Sequence, residues 1–144
     1  MAEETNQLRV RLVTPERTLF EGVAESVELP SKSGELEVMY GHAPTMSELG
    51  SGDVILRGAE VNQAGLLQFN VNWGFVEVLG DRVTILANDA LKPEEIDVER
   101  AEEQLARGEK MAREGDDSLE AWDEADRVIR EAEAKLATAA EVRK

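Results

Sequence analysis

The sequence predicts a mainly β N-terminal sandwich or barrel followed by an α-helical hairpin, a two-domain β plus α organisation. Up to about residue 90, short stretches of alternating apolar and polar residues stand between turn signals, and nine of the eleven glycines lie in this half. Beyond it Ala, Glu, Arg and Lys dominate, and these residues form helices well. We therefore expect an N-terminal antiparallel β-sandwich over residues 1–90 and a C-terminal two-helix hairpin over residues 91–144.

The N-terminal half reads as a series of strands and turns. Leu8, Val10 and Leu12 alternate with polar residues, which is the period of two of a half-buried strand. The same reading predicts strands within residues 23–29, 54–56, 66–71, 75–79 and 83–87. Turn signals lie at residues 14–16, 30–34, 50–53 and 80–81. Gly74 within the strand region suits a bulge or a close backbone approach.

The C-terminal half reads as two helices. Pro93 suits the start of a helix, and Asp97 is the predicted N-cap of the first one. Gly108 weakens this helix, and residues 115–118 end it. Asp117 and Glu120 have the spacing of a capping box, so the second helix is predicted to start there.

The second helix carries one narrow apolar stripe, with Trp122 as its expected packing anchor. The stripe steps by three and four residues through Trp122, Ala125, Ile129, Ala132, Leu136 and Ala139. Most of these side chains are small, so the hairpin buries little apolar surface. We expect it to be marginally stable and able to change partners.

Charge and composition exclude several classes of function. The 144 residues include 31 acids and 16 bases, a formal net charge of -15, which repels nucleic acid and anionic lipid surfaces. The absence of cysteine excludes disulfides, thiol catalysis and thiolate metal sites. The start MAEETNQ lacks the pattern of a signal peptide, and no apolar run approaches the roughly 20 residues of a membrane span. We expect no direct membrane insertion, so any membrane connection must run through partners.

Several strings occur in one order along nearly the whole chain. They are LRVRLVTPERTLFEG at residues 8–22, GELEV and GHAP at 34–38 and 41–44, WGFVEV and VTILA at 73–78 and 83–87, and IDVERA at 96–101. Together they resemble the epsilon subunits of bacterial F-type ATP synthases.

The resemblance implies a non-catalytic subunit of a proton- or sodium-translocating ATP synthase. In that family the sandwich contacts the gamma subunit and the c-ring, and it helps to carry rotation to the catalytic head. The helical hairpin is mobile, reaches the alpha and beta subunits and can inhibit ATP hydrolysis. No cofactor or metal is required, although ATP is a regulatory ligand in some members. The implied location is peripheral, on the cytoplasmic side of the bacterial inner membrane.

Two sets of candidate site residues follow from the resemblance. Glu35 and His42 are matched to the c-ring and gamma interface; the alternatives are an ordinary turn carboxylate and a locally bonded loop histidine. The candidate ATP-binding residues are Ile96, Asp97, Arg100, Ala101, Arg127 and Arg130. For these the alternative is a helix N-cap with solvated surface charges, and Leu91 stands where some tight-binding relatives have a glutamate.

Two other functions remain open at this point. The first is a free-standing nucleotide-sensing protein that binds ATP through the Asp97 and Arg100 segment. The second is a small hydrolase built around His42, the only histidine, but no nucleophile or metal-ligand spacing accompanies it.

Overall fold

The computed structural model describes residues 7–58, 65–115 and 117–142. Residues 1–6 lie outside the described residues, and they include most of the MAEETNQ segment that was read for a signal peptide. Asp116, in the predicted helix break, lies outside them as well. The chain divides into two compact units, Met1–Lys92 and Pro93–Lys144. Strands form the first unit and helices the second, so the predicted fold class is confirmed.

One continuous seven-stranded sheet forms the N-terminal unit. Its strands are β1 Leu8–Val13, β2 Thr18–Ala24, β3 Ser26–Ser31, β4 Gly34–Met39, β5 Thr45–Arg57, β6 Leu66–Leu79 and β7 Arg82–Leu91. The strand order is β2-β1-β7-β6-β5-β3-β4, so β2 and β4 are the edges. The prediction of a purely antiparallel sheet is wrong at one pair, because β1 and β7 run parallel. A parallel pair needs a long connection, which the five intervening strands supply.

The sheet folds over onto itself around one hydrophobic core. Along β6 the inward-facing residues change from Phe69 and Val71 to Val76 and Val78, that is, from odd to even positions. The same change occurs in β5 between Leu49 and Val54. Side chains from both halves of the sheet belong to a single buried cluster. Each of these long strands therefore contributes to both layers of a sandwich.

The change of face in β6 occurs at Trp73 and Gly74. Both have positive φ angles, 57° and 130°. A Cβ atom at Gly74 would lie 1.9 Å from the carbonyl oxygen of Leu86 on β7. The register between β6 and β7 is the same on both sides of this point. Of the two predicted roles of Gly74, the structure thus supports a close backbone approach rather than a bulge.

The turn predicted at residues 50–53 is wrong, because β5 runs straight through it. A Cβ atom at Gly50 would lie 3.2 Å from the Ser31 carbonyl oxygen, and one at Gly52 would lie 3.1 Å from Cβ of Pro30. These glycines therefore allow β3 to approach β5 closely, and they do not reverse the chain. Likewise, the strands predicted at 66–71 and 75–79 are one strand.

Two other turn predictions are confirmed. In the turn at residues 14–17, the Thr14 N–H donates to the Arg17 carbonyl, and the Thr14 hydroxyl accepts from the Arg17 N–H. The Arg17 guanidinium also donates to the Ala90 carbonyl near the end of β7, at 3.2 Å. The turn between β6 and β7 contains Gly80 at φ 65°.

The C-terminal unit contains a short 3-10 helix, Pro93–Glu95, and two helices, α1 Val98–Glu114 and α2 Leu119–Val142. The predicted N-cap is confirmed, because the Asp97 carboxylate accepts from the Arg100 N–H at 3.2 Å. Gly115 is the C-cap of α1. The cap predicted for α2 is one residue early: the Ser118 hydroxyl, and not Asp117, accepts the N–H of Ala121 at 3.1 Å. The hydroxyl side chain reaches the first turn from the residue directly before the helix.

Small residues form the contact between α1 and α2. Ala101 and Gly108 are the buried residues of α1, and Ala125, Ala132 and Ala139 are buried on α2. The prediction of Trp122 as a packing anchor is wrong, because its side chain is 58% exposed. The helices approach through glycine and alanine, which leaves the bulky indole at the margin.

Neither helix is long and apolar enough to cross a membrane, within the residues that the structure describes.

Candidate functional site

The first candidate surface lies along the edge strand β4. Glu35 is exposed near the start of this strand and stands opposite Pro30 of β3. It follows the tight turn at residues 32–33, in which the Ser31 hydroxyl donates to the Gly34 carbonyl. Lys32 in this turn pairs with Glu48 at 3.7 Å and lies 5.9 Å from the centre of the Trp73 ring. Glu35 is therefore presented on a short hairpin that is fastened to β5 and β6.

His42 lies beyond the other end of β4. Its backbone N–H donates to the Met39 carbonyl, and its Nδ1 lies 2.7 Å from the Ala43 carbonyl oxygen. Because a carbonyl only accepts, Nδ1 carries the proton. Glu35 and Met39 alone are separated by about 13 Å of strand, at about 3.3 Å per residue. The structure therefore does not bring Glu35 and His42 together; it places them at opposite ends of one edge.

A second surface, which the sequence reading missed, lies on the outer face of the sandwich. We call it the apolar patch; it consists of Met46, Phe75, Leu79 and Leu86. Phe75 stands directly opposite Leu86 on the neighbouring strand, and both side chains are at least half exposed, 54% and 50%. Met46 and Leu79 share this face and are 71% and 60% exposed. Clustered exposed apolar side chains are characteristic of protein interaction sites.

One signal in the sequence could have revealed the apolar patch. In residues 75–79, Val76 and Val78 face the core, while Phe75 and Leu79 lie on the opposite face around Glu77. A strand that is apolar on both faces predicts that both are covered. In a small two-layer domain the inner face of the strand is covered by the other layer, so its outer face must be covered by something other than this domain.

The third surface contains the candidate ATP-binding residues at the start of α1. Ile96 and Ala101 are buried, at 3% and 2% exposure, whereas Asp97 and Arg100 face solvent. The Asp97 carboxylate already caps the helix. The structure therefore separates these four residues into a packing pair and an exposed pair.

The two candidate arginines of α2 lie farther along the hairpin. Ile129, the residue before Arg130, packs against Gly108 of α1. Gly108 lies eight residues after Arg100 in the same helix. At 1.5 Å per residue Ile129 is offset from Arg100 by about 12 Å along the helix pair, and Arg130, one residue nearer because the helices run antiparallel, by about 10 Å.

Arg127 and Arg130 each pair with an acidic residue of α2. Arg130 Nε bonds Asp126 at 2.8 Å, and Arg127 Nε lies 3.9 Å from Glu131. An anionic ligand at this place would have to compete with both carboxylates.

No group of three or more His, Asp or Glu side chains that could hold a metal ion occurs in the described part of the chain.

Comparisons with known proteins give consistent results. The family described as ATP synthase, Delta/Epsilon chain, beta-sandwich domain matches residues 7–93. A protein of Koribacter versatilis named ATP synthase epsilon chain is 46% identical over 100 residues, which cover 68% of this chain and 66% of the relative. One of the same name from Priestia megaterium is 41% identical over 102 residues, which cover 71% of this chain and 73% of the relative. The chain thus spans about two thirds to three quarters of the length of these relatives.

Two solved structures share the fold. A chain in the Euglena gracilis mitochondrial ATP synthase assembly of OSCP, F1 and c-ring aligns with a TM-score of 0.76 at 20% identity, over 94% of this chain and 82% of that chain. A chain in the central stalk and c-ring structure of the Tetrahymena thermophila mitochondrial ATP synthase aligns with a TM-score of 0.66 at 17% identity. That alignment covers 92% of this chain and 96% of the other.

Proposed function

The chain belongs to the ATP synthase delta and epsilon chain family, and from this premise we propose that it is the non-catalytic epsilon subunit in the central stalk of a bacterial ATP synthase. One observation carries the proposal: the family match over residues 7–93 spans all seven strands of the N-terminal unit. In this role the N-terminal unit binds the gamma subunit and the c-ring and couples rotation of the ring to the catalytic head. The protein is held at the cytoplasmic side of the plasma membrane through the complex.

We assign the apolar patch to the gamma subunit. Phe75 and Leu86 form a cross-strand pair on a hydrogen-bonded sheet, so they present a rigid apolar surface that loses little entropy on binding. The charged residues Arg11 and Glu21, which pair on the same face, provide a polar margin. An apolar centre with a polar rim is the usual anatomy of a protein interface.

Glu35 and His42 are proposed as contacts with the c-ring and gamma. Their positions at opposite ends of β4 mean that a single small loop cannot bind both. Two contacts, or a partner that follows the whole edge, are required. Glu35 is exposed and accepts hydrogen bonds, and it suits a polar loop of the c-ring.

The helical hairpin is proposed as a regulatory element that contacts the alpha and beta subunits. Its contact surface is made largely of small residues, so ligands or partners can shift it between arrangements. ATP is proposed as a regulatory ligand bound near Asp97 and Arg100. The pairing of Arg127 and Arg130 with Glu131 and Asp126 predicts weak affinity for the nucleotide.

Binding to gamma tests the first part of this proposal. Phe75→Ser should weaken the affinity of the chain for purified gamma about 30-fold or more, since a buried aromatic side chain contributes about 2 kcal/mol or more. Leu119→Ser is the matched control, because Leu119 is also an exposed apolar side chain, at 76%, but belongs to the other unit of the chain. Equal affinities for the two variants would refute the assignment of the patch. A chain that is never recovered with gamma and the catalytic head would favour the free-standing nucleotide sensor.

Removal of the hairpin tests the regulatory part. A chain ending at Lys92, assembled with the catalytic head and gamma, should support faster ATP hydrolysis than the full chain. The comparison is made at several ATP concentrations, because a regulatory nucleotide would change the difference. Unchanged hydrolysis throughout would remove the regulatory role and leave the coupling role standing.

A further inference from the structure

We infer that Gly108 is the joint that holds the hairpin closed, and that any side chain at this position shifts the two helices toward an open arrangement. The joint is a property of the C-terminal unit itself; its consequence for ATP hydrolysis rests on the proposed regulatory function.

The geometry at Gly108 leaves no room for a Cβ atom. Such an atom would lie 2.8 Å from Cγ1 of Ile129 and 3.0 Å from Cγ1 of Val128. Both side chains are branched at Cβ and have a restricted χ1 angle in a helix, so these Cγ1 atoms can move little unless α2 itself moves. The backbone nitrogen of Ile129 would be only 3.3 Å away. Relief of the contact therefore requires the helices to separate.

A polar contact one turn earlier depends on the same separation. The Gln104 side-chain amide donates to the Val128 carbonyl at 3.2 Å and to a Glu131 carboxylate oxygen at 3.3 Å. Both distances are near the upper limit of a good hydrogen bond, so a shift of a few tenths of an ångström weakens them. Val128 takes part in both contacts. The apolar and polar parts of the joint therefore loosen together.

Gly108→Ala changes the ratio of closed to open hairpin through the steric clash. Alanine forms helices better than glycine, but α1 is a helix in both arrangements, so this gain does not change the ratio. In the closed hairpin the added methyl group clashes with α2. The remaining buried contacts of the pair include Ala101, Ala125 and Ala132, which are too small to oppose the separation strongly. The substitution should therefore destabilise the closed state relative to the open one.

A distance measurement on the full chain tests the joint. Spin labels on Glu102→Cys and Glu133→Cys, both exposed, report the separation of α1 and α2 without interference, because the chain has no cysteine. Gly108→Ala should lower the ratio of closed to open hairpin at least fivefold. The control Ala106→Gly, at an exposed position of α1, changes helix propensity away from the joint and should leave the ratio within twofold. An unchanged distance distribution in Gly108→Ala would overturn the inference.

A pair of compensating substitutions shows whether the cause is steric. Val128→Ala and Ile129→Ala together remove the two side-chain atoms nearest to the new methyl group, so in the Gly108→Ala background they should restore the closed fraction to that of the Val128→Ala and Ile129→Ala pair alone. Failure of this rescue overturns the joint. Gln104→Met, which keeps the length of the side chain and loses its donor, should open the hairpin in the same direction but less. No opening in this variant would overturn the polar part.

The inference and the proposed function can fail separately. The distance is measured on the isolated chain, so a closed Gly108→Ala hairpin removes the joint whatever the assembled complex does. If the hairpin of Gly108→Ala opens as expected, ATP hydrolysis by the catalytic head is then compared between this variant and the unaltered chain. Equal rates would contradict the regulatory role and leave the joint standing.

Discussion

Substitution of Gly74 by alanine should nearly unfold the N-terminal unit. Gly74 lies at the point where β6 changes its inward face, with a φ of 130° that non-glycine residues rarely adopt. Such strain costs about 1–3 kcal/mol for a residue with a side chain.

The steric cost of this substitution adds to the strain. The new methyl carbon would lie 1.9 Å from the carbonyl oxygen of Leu86, and this oxygen belongs to the backbone of β7, which cannot rotate away. Separation of the strands would weaken the hydrogen bonds around the Gly74 and Ala87 pair, each of which contributes about 1 kcal/mol. The total is about 3–5 kcal/mol, comparable to the whole stability of a small domain, which starts at about 5 kcal/mol.

Urea denaturation monitored by Trp73 fluorescence measures this loss. Trp122→Phe, at an exposed position, leaves Trp73 as the only tryptophan. The urea midpoint of Gly74→Ala should fall by about 2 M or more. Gly80→Ala is the matched control: its φ of 65° is also positive, but no atom lies within 4 Å of the added methyl group, so it should cost only about 1–2 kcal/mol. Similar midpoints for the two variants would refute the reasoning from the close approach.

The chain should tolerate truncation after Lys92 better than after Asn88. The shorter chain lacks the end of β7, including buried Ala90, whose carbonyl accepts a hydrogen bond from the turn at residues 14–17, so its urea midpoint should be lower; equal midpoints would show that these residues do not stabilise the unit. In the hairpin, Ser118→Ala should lower the stability by about 1 kcal/mol, whereas Asp117→Ala should change it by a few tenths, as measured by thermal loss of helical circular dichroism. The reverse order would assign the cap to Asp117.

The fold class was predictable because it depends on local signals. The alternation of β1 and the N-cap at Asp97 are each encoded by residues that are close together in the sequence. The parallel pairing of β1 with β7 was not predictable in this way, because it joins segments about 70 residues apart. The glycines at 50 and 52 gave a false turn, since a glycine that permits close strand packing looks the same in sequence as one that reverses the chain.

The candidate site was less predictable than the fold. The sequence identified Glu35 and His42 but could not show that a strand separates them. It also missed the apolar patch: residues 75–79 are apolar on both faces, which signals a second covered face, but the alternation alone does not show which face lies against the core. The prediction for Trp122 was wrong for a similar reason. A helical stripe gives the direction in which a side chain points, but the place where α1 and α2 approach closely, at Gly108, decides which part of the stripe is buried.

The continuity of β5 and β6 has a mechanical consequence. Both strands pass from one layer of the sandwich to the other without interruption, so the layers are joined by covalent chain as well as by side-chain packing. A sideways force on one layer cannot make it slide over the other unless it stretches backbone or breaks the ladder between β5 and β6. A force that bends one layer against the other therefore acts on the residues at which β5 and β6 cross between the layers, among them Trp73 and Gly74.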